Sequence, residues 1–583
     1  MIAPKSLRIA RAPAGPGQGT GEPDLWCTYA AVRTLGWLDR LPDVRAPEST
    51  ARYLRSRRNA DGGYAWSRGM ASDAWATFYC TQALRDLGTP VDDTAATEEW
   101  LGATWTGHAY GMQPGQHADV WATHFSVRTQ VRVCGGPVPD PEALQSWLGG
   151  LQDADGGLCW TPEHAARGRG PDVRACYYGV VAWLEAGLGG KAPWDVDRLV
   201  AWMRGMQGDD GGFRLHVNAG TPCLWATYRA TGALHALGAG PTDPDGCAAW
   251  IDARRAEGGA FVRWPGYDQE DVWASFCAVG ALRAIGATTA DVADTVVDRI
   301  GEFACDTGGY TYVPPARAGD ALSTAAAVLT EPDDPQAPEL RRWLEDCRLP
   351  NEDGVMYMPG RGSEVRCTLW ALAAGAHESD LEALAEVAAW VGELQNPDGG
   401  VGYWEGRGSD LVSTVAALEI LRLTGSAPDA IVDTELLRDF VRSCRHGSAH
   451  DDTGYGNVPG GPARLRSGLH AQRALHLLGD DRAGPVCALL ARHEVRGGGF
   501  ADSGNRIPDL LSTYEAVVTA ARFGLPLDRD RLRVFADRVG GPNGTSWSPL
   551  APDDGGPLAR CLGALLGRWL TDRGAPPPAL TLS

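Results

Sequence analysis

A unit of about fifty residues recurs through the chain, and this repeat limits the fold more than any single motif does. Stretches beginning at Tyr53, Trp147, Trp202 and Trp390 each end a helical pattern with a polar-Asp-Gly-Gly turn. After such turns a second apolar segment opens at Asp-x-x-Ala/Ser/Cys-Thr and stops near glycine about fifteen residues later. These segments begin at Asp24, Asp73, Asp119, Asp172, Asp271, Asp320, Asp410 and Asp509, with altered versions at Cys223, Glu364, Arg464 and Gly556. The spacing accommodates two helices and two connections, so the unit is a helical hairpin. Aspartate at each start caps free amides, and Gly36, Gly88, Gly238, Gly286, Gly425, Gly479 and Gly524 stand where left-handed caps end helices. One hairpin cannot bury its own apolar face. Neighbours must stack, either into an open solenoid or into closed rings, and the period is compatible with both.

Composition removes several classes of function. The 583 residues carry a formal charge of -20, a field that repels nucleic acid and anionic surfaces. Lys5 and Lys191 are the only lysines, so no P-loop or Schiff-base lysine is offered. The 14 cysteines include no C-x-x-C pair and read as buried thiols of a reducing compartment. Residues 1–23 lack a signal-peptide core and are expected to be extended or disordered. No run of about 18 apolar residues occurs. The expectation is a cytoplasmic protein, with contact to a membrane surface through separated helices left open.

The Q-x-x-D-G-G turns at Gln152, Gln207 and Gln395 resemble the repeats shared by squalene-hopene cyclases, class II diterpene cyclases and protein prenyltransferase β subunits. The resemblance runs from Asp24 onward. It implies an all-α fold in which six hairpins close an α/α toroid, so twelve hairpins imply a double toroid of β- and γ-like domains. The expected division is residues 24–250 and 251–583, with one ring inserted in the other as an alternative.

The same resemblance implies proton-initiated cyclisation of a linear isoprenoid, either a prenyl diphosphate or a squalene-type polyene. The family's acid motif, D-x-D-D-T-A, opens an inner helix. Its nearest counterpart is Asp268-Gln269-Glu270-Asp271-Val272-Trp273-Ala274, which places Glu270 as the acid with Asp268 and Asp271 tuning it. Such an acid must stay protonated, as burial and neighbouring carboxylates achieve. Glu stands for the central Asp here, and Asp271 is also this repeat's ordinary helix cap. A second string, Asp92-Asp93-Thr94-Ala95, lies at an outer-helix start and reads as a cap.

The third inner-helix position holds Trp26, Trp75, Trp121, Trp225 and Trp273, with Arg174 in the remaining repeat of the first six. Indole faces stabilise cations and also pack helices, so these six residues are the candidate substrate-binding set. Arg174, Arg366 and Arg466 suit a diphosphate, and Mg2+ would enter only with such a substrate. No metal site is expected. Cys444, His446, His450, Asp451 and Asp452 form a weak metal-like string, Cys367 alone stands where a prenyltransferase zinc ligand would, and His117 and His124 flank Asp119. Three alternatives remain: a non-catalytic toroid binding a prenyl chain or a protein partner, a prenyltransferase β-subunit-like protein, and a carbohydrate-active α/α barrel.

Overall fold

The computed structural model describes residues 23–582 apart from 67–69, 189, 267–269, 312–319, 349–352, 358–361, 447–453, 504–505, 542–543, 551–554 and 572–575. Asp268, His450, Asp451, Asp452 and residues 1–22 therefore lie outside the described residues. The chain divides between Ala318 and Gly319 into two units.

In the first unit every repeat start becomes the cap of an inner helix. These helices are α1 (Leu25–Trp37), α2 (Ala74–Asp86), α3 (Val120–Thr129), α4 (Val173–Glu185), α5 (Leu224–Ala236) and α6 (Val272–Ala284). Asp24, Asp73, Asp119, Asp172 and Asp271 each accept a first-turn amide, and Cys223 does so through sulfur. The capping oxygen satisfies an orphan N–H at the positive end of the helix dipole. Each inner helix packs on the next, and α6 packs back on α1, so the six close a ring. Outer helices alternate with them, from Pro47–Arg55 to Ala290–Glu302.

The Asp-Gly-Gly turn is what couples one hairpin to the next. Its first glycine has a left-handed backbone, with φ 91° at Gly62 and Gly211 and 89° at Gly399. A Cβ there would overlap the backbone of Ala96, Gly246 or Leu436 in the following outer helix. The second glycine admits an aromatic side chain of that same helix: a Cβ on Gly157 would stand 2.6 Å from Trp202, and one on Gly400 2.7 Å from Phe440. The preceding glutamine clamps the join. Gln152 donates to the carbonyls of Gly156 and Asp195 (2.8 and 2.9 Å) and accepts from the Asp195 amide at 2.9 Å. Gln207 and Gln395 repeat this pattern with Asp243 and Asp433.

The sixth turn closes the ring by docking on the first hairpin. A Cβ on Gly308 would overlap the Ser49 backbone, and the Gly309 amide donates to Thr50 Oγ1 at 2.9 Å. Asp24 N–H donates to the Tyr310 carbonyl at 2.8 Å, and Tyr310 N–H to Thr28 Oγ1 at 3.0 Å. Closure thus needs residues as far as Tyr310. This is why the division falls at 318/319 and not near 250, a position inside the fifth outer helix, Pro244–Asp252.

The second unit repeats the plan with α7 (Ala321–Thr330), α8 (Val365–Ala373), α9 (Leu411–Thr424), α10 (Leu465–Leu477), α11 (Leu510–Arg522) and α12 (Gly556–Thr571). Here α12 packs on both α11 and α7, closing a second ring. The outer helices run from Ala337–Asp346 to Arg529–Val539, and after α12 comes a segment without regular structure, 576–582. Among the described residues no helix is long and apolar enough to cross a membrane.

If the glycine contact closes the first ring, Gly308→Ala must cost far more than alanine at a free left-handed cap. Gly308→Ala is expected to lose over about 3 kcal/mol in urea unfolding. Gly88→Ala, with nothing within 4 Å of its Cβ, is expected to lose about 1 kcal/mol. Equal losses would contradict the closure contact.

Candidate functional site

The first toroid brings all six third-position side chains to one level. Trp26 lies 4.9 Å from Trp75, 4.7 Å from Trp273 and 6.2 Å from Trp225 between ring centroids, and Trp75 lies 4.9 Å from Trp121. Trp26 and Trp225 sit on helices that are not ring neighbours, so their contact runs across the interior. Arg174 completes the layer, its guanidinium 5.3 Å from the Trp225 ring and 5.1 Å from Trp160. Asp172 neutralises it through Nε (3.0 Å) and Nη2 (2.7 Å). All six are buried. Arg174 is therefore a packed, paired member of this layer and presents no free fork to a diphosphate.

A second aromatic layer lies one turn deeper, at the fifth residue after each cap. Tyr29, Phe78, His124, Tyr177, Tyr228 and Phe276 contribute one ring per inner helix. Successive centroids are 5.9, 6.4, 5.6, 5.6, 5.1 and 5.9 Å apart around the full circuit. The sequence reading passed over this belt because histidine, phenylalanine and tyrosine alternate in it, whereas the third position shows one residue type. Counting five from every cap would have found it.

Cations of the chain's own already occupy the belt. The Arg229 guanidinium stands 4.5 Å from the Tyr177 ring and 4.9 Å from Tyr228, and Arg128 stands 4.4 Å from Phe78. Among the described residues Arg229 has no carboxylate partner; its Nη2 reaches Tyr178 Oη at 3.4 Å. Burial acts against the Arg229 charge, but Tyr178, Tyr177 and Tyr228 outweigh it and hold the group protonated. Burial, then Arg128 and Arg229, hold His124 well below its ordinary value, so it is neutral. Burial pushes Tyr177 up, yet Arg229 and Arg128 together bring its phenol below the ordinary value. The layer is an electropositive aromatic core.

The acid segment faces elsewhere. Glu270 immediately precedes the α6 cap, the place held by Ser72, Pro171 and Ser409 in other repeats, where each packs on a turn glycine. Its carboxylate lies over Gly258 of the preceding turn and pairs with Arg299 of the outer helix at 2.5 Å. Asp271 is 1% exposed and pairs with Arg263 through two contacts of 2.8 and 3.2 Å while capping the Ala274 amide at 2.7 Å. Both carboxylates are thus ion-pair partners, and Asp271 serves as a structural cap. Asp93 caps Thr94–Thr104 on the exposed surface.

Three inner-helix cap carboxyls outside the sequence-selected set, besides the turn residue Asp153, are shifted in the direction an acid catalyst needs. Burial raises Asp410, against hydrogen bonds from Ser413 and the charges of Arg366 and Arg407. Asp320 and Asp509 are raised by burial too, against bonds from Ser323 and Ser512. All three cap inner helices of the second unit. As cap residues they carried no distinguishing signal in the sequence. Arg366 is held by Glu364 at 2.6 Å, and Arg466 by Asp502 at 3.2 Å. No group of three or more metal-ligating side chains occurs among the described residues.

The prenyltransferase alpha-alpha toroid domain model matches residues 8–104, 67–214, 186–356, 320–483 and 462–546, and the chain belongs to that family. Among solved structures, protein geranylgeranyltransferase-I from Candida albicans, complexed with GGPP, is similar at 14% identity and TM-score 0.35, over 43% of this chain and 84% of that one. Type II terpene cyclase MstE from Scytonema is similar at 12% identity and TM-score 0.32, over 48% and 91%. The ent-copalyl diphosphate synthase from Streptomyces platensis is similar at 20% identity and TM-score 0.21, over 78% and 95%. No curated protein matches the chain.

The two kinds of aspartate cap respond oppositely to neutralisation. Asp271→Asn strands the buried Arg263 charge and is expected to lose about 3–5 kcal/mol at pH 7. Asp410→Asn keeps the cap and removes a carboxylate whose charged form burial disfavours, so stability is expected to hold or rise. Denaturant unfolding of the two variants at pH 7 checks both signs, and a large loss in Asp410→Asn would contradict the environment described.

Proposed function

We propose that this chain binds a linear isoprenoid without cyclising it. Family membership supports the ligand class, since repeats of this kind form prenyl-binding toroids. The observation that carries the second half is Arg229. A cyclase interior uses aromatic faces to stabilise a migrating carbocation. Here the faces of Tyr177 and Tyr228 already hold a guanidinium that, among the described residues, lacks a carboxylate partner, which would repel a second cation. The ion pairs of Glu270 and Asp271 support the same reading, because a guanidinium partner favours the charged carboxylate over a form ready to give up a proton. Where the ligand is a diphosphate, Mg2+ would accompany its head group.

A second reading, proton-initiated cyclisation from the second toroid, is favoured by the buried carboxyls of Asp410, Asp320 and Asp509. The purified chain would be titrated with geranylgeranyl and farnesyl diphosphates, with and without magnesium, and incubated with these and squalene for product analysis. Saturable binding with all ligand recovered intact is expected. Cyclised product overturns the binding reading. Its loss in Asp410→Asn, but not in Glu270→Gln, would establish the second-toroid acid, while the converse would restore Glu270. Absence of both binding and turnover would overturn the isoprenoid class itself.

A further inference from the structure

The fifth residue after each cap puts an aromatic ring into the first toroid from every inner helix; in the second toroid the fifth and sixth residues are large on α8, α10 and α11, but on α7 and α9 aromatics are absent. Ala325 and Ala326 on α7 and Val415 and Ala416 on α9 replace them, leaving Tyr514 on α11 as the one aromatic at the fifth position of the five capped helices. Close packing does not tolerate such a deficit unless something fills it.

The chain's own segment 576–582 fills it. The Trp370 indole N–H donates to the Thr581 carbonyl at 3.0 Å, and Tyr514 Oη donates to the Pro578 carbonyl at 2.7 Å. Trp370 belongs to α8 and Tyr514 to α11, the second and fifth members of a six-membered ring. A stretch of chain bonded to both, with only two residues between its contact points, must cross the interior. Ala579, Leu580, Thr581 and Leu582 are all buried, Leu580 and Thr581 at 1% and 0% exposure. The segment has no regular structure and turns at Pro578–Leu580, where the Leu580 amide donates to the Pro578 carbonyl at 2.9 Å, and the groups held by α8 and α11 are backbone carbonyls, the kind of contact made to a bound peptide.

We propose that the interior of the second toroid is a binding site for an apolar peptide segment, and that residues 576–582 are its resident, displaceable occupant. The site reads backbone through Trp370 and Tyr514 and takes small or branched apolar side chains beside Ala325, Ala326, Val415 and Ala416. This inference does not rest on the isoprenoid-binding reading; cyclisation in the second toroid would require the segment to leave first.

The test uses a chain ending at Thr571 and a fluorescein-labelled peptide with the sequence of residues 576–583, followed by anisotropy. Saturable one-to-one binding to the shortened chain is expected, with binding to the full chain at least tenfold weaker. Tyr514→Phe in the shortened chain should weaken binding about fivefold, the worth of one hydrogen bond. Equal binding to both chains, or none to a shortened chain with native circular dichroism, would overturn the proposal. If the shortened chain does not fold, a protease site placed between Gly574 and Ala575 allows cutting after folding. Exchange of the cut segment for labelled peptide supports a displaceable occupant. A segment that neither leaves nor exchanges is permanent core, and one that is lost without rebinding had no site; either result overturns it.

Discussion

Both rings are built on a close approach between a turn and the next outer helix that glycine makes at most of the joins. The first glycine of the turns at Gly62, Gly211 and Gly399 lies against the backbone of the next outer helix, at Ala96, Gly246 and Leu436, with no room for a Cβ. Glutamine side chains then bond turn to helix in both directions. The contact recurs at several joins, and in the first unit the sixth turn brings Gly308 to Ser49. The ring is the consequence of a repeated local geometry, and its closure is bonded through Asp24, Thr28, Thr50 and Tyr310. The caps act along the other direction: each aspartate fixes where an inner helix begins, and so fixes which residues share a level.

Levels decide what the interior can do. In the first toroid the second and fifth residues after the caps are aromatic around nearly the whole circuit, and Arg174, Arg229 and Arg128 lie among the rings. In the second toroid small residues stand on α7 and α9, and buried residues of segment 576–582 are bonded to Trp370 and Tyr514. One architecture thus yields a core of side chains in one case and an occupied channel in the other. The carboxyls follow the same logic, with those of the α6 start paired to arginine and those of Asp320, Asp410 and Asp509 raised by burial.

Helix existence, cap identity and the family were legible in the sequence because they rest on local spacing and on turn chemistry. The altered starts at Cys223, Glu364, Arg464 and Gly556 all proved to begin inner helices. Ring closure was not legible, since whether Gly308 meets Ser49 depends on a rotation summed over six units. The division near residue 250 failed for that reason. Glu270 was selected by its place in a motif, but direction mattered more: the residue before a cap faces the turn and outer helix, where Arg299 waits. The belt at the fifth positions was present in the spacing but hidden by mixed residue types, and segment 576–582 bore no pattern linking it to α8 and α11.

The account stands or falls on the first interior being solid. Phe276 is buried, with Trp273 and Trp37 at 4.7 Å, Tyr228 at 5.1 Å and Tyr29 at 5.9 Å. Equilibrium denaturation of Phe276→Ala measures this directly. In a filled ring the truncation leaves a cavity and should cost about 3–5 kcal/mol; a loss below about 1 kcal/mol would mean that the belt lines an open chamber, contradicting the account.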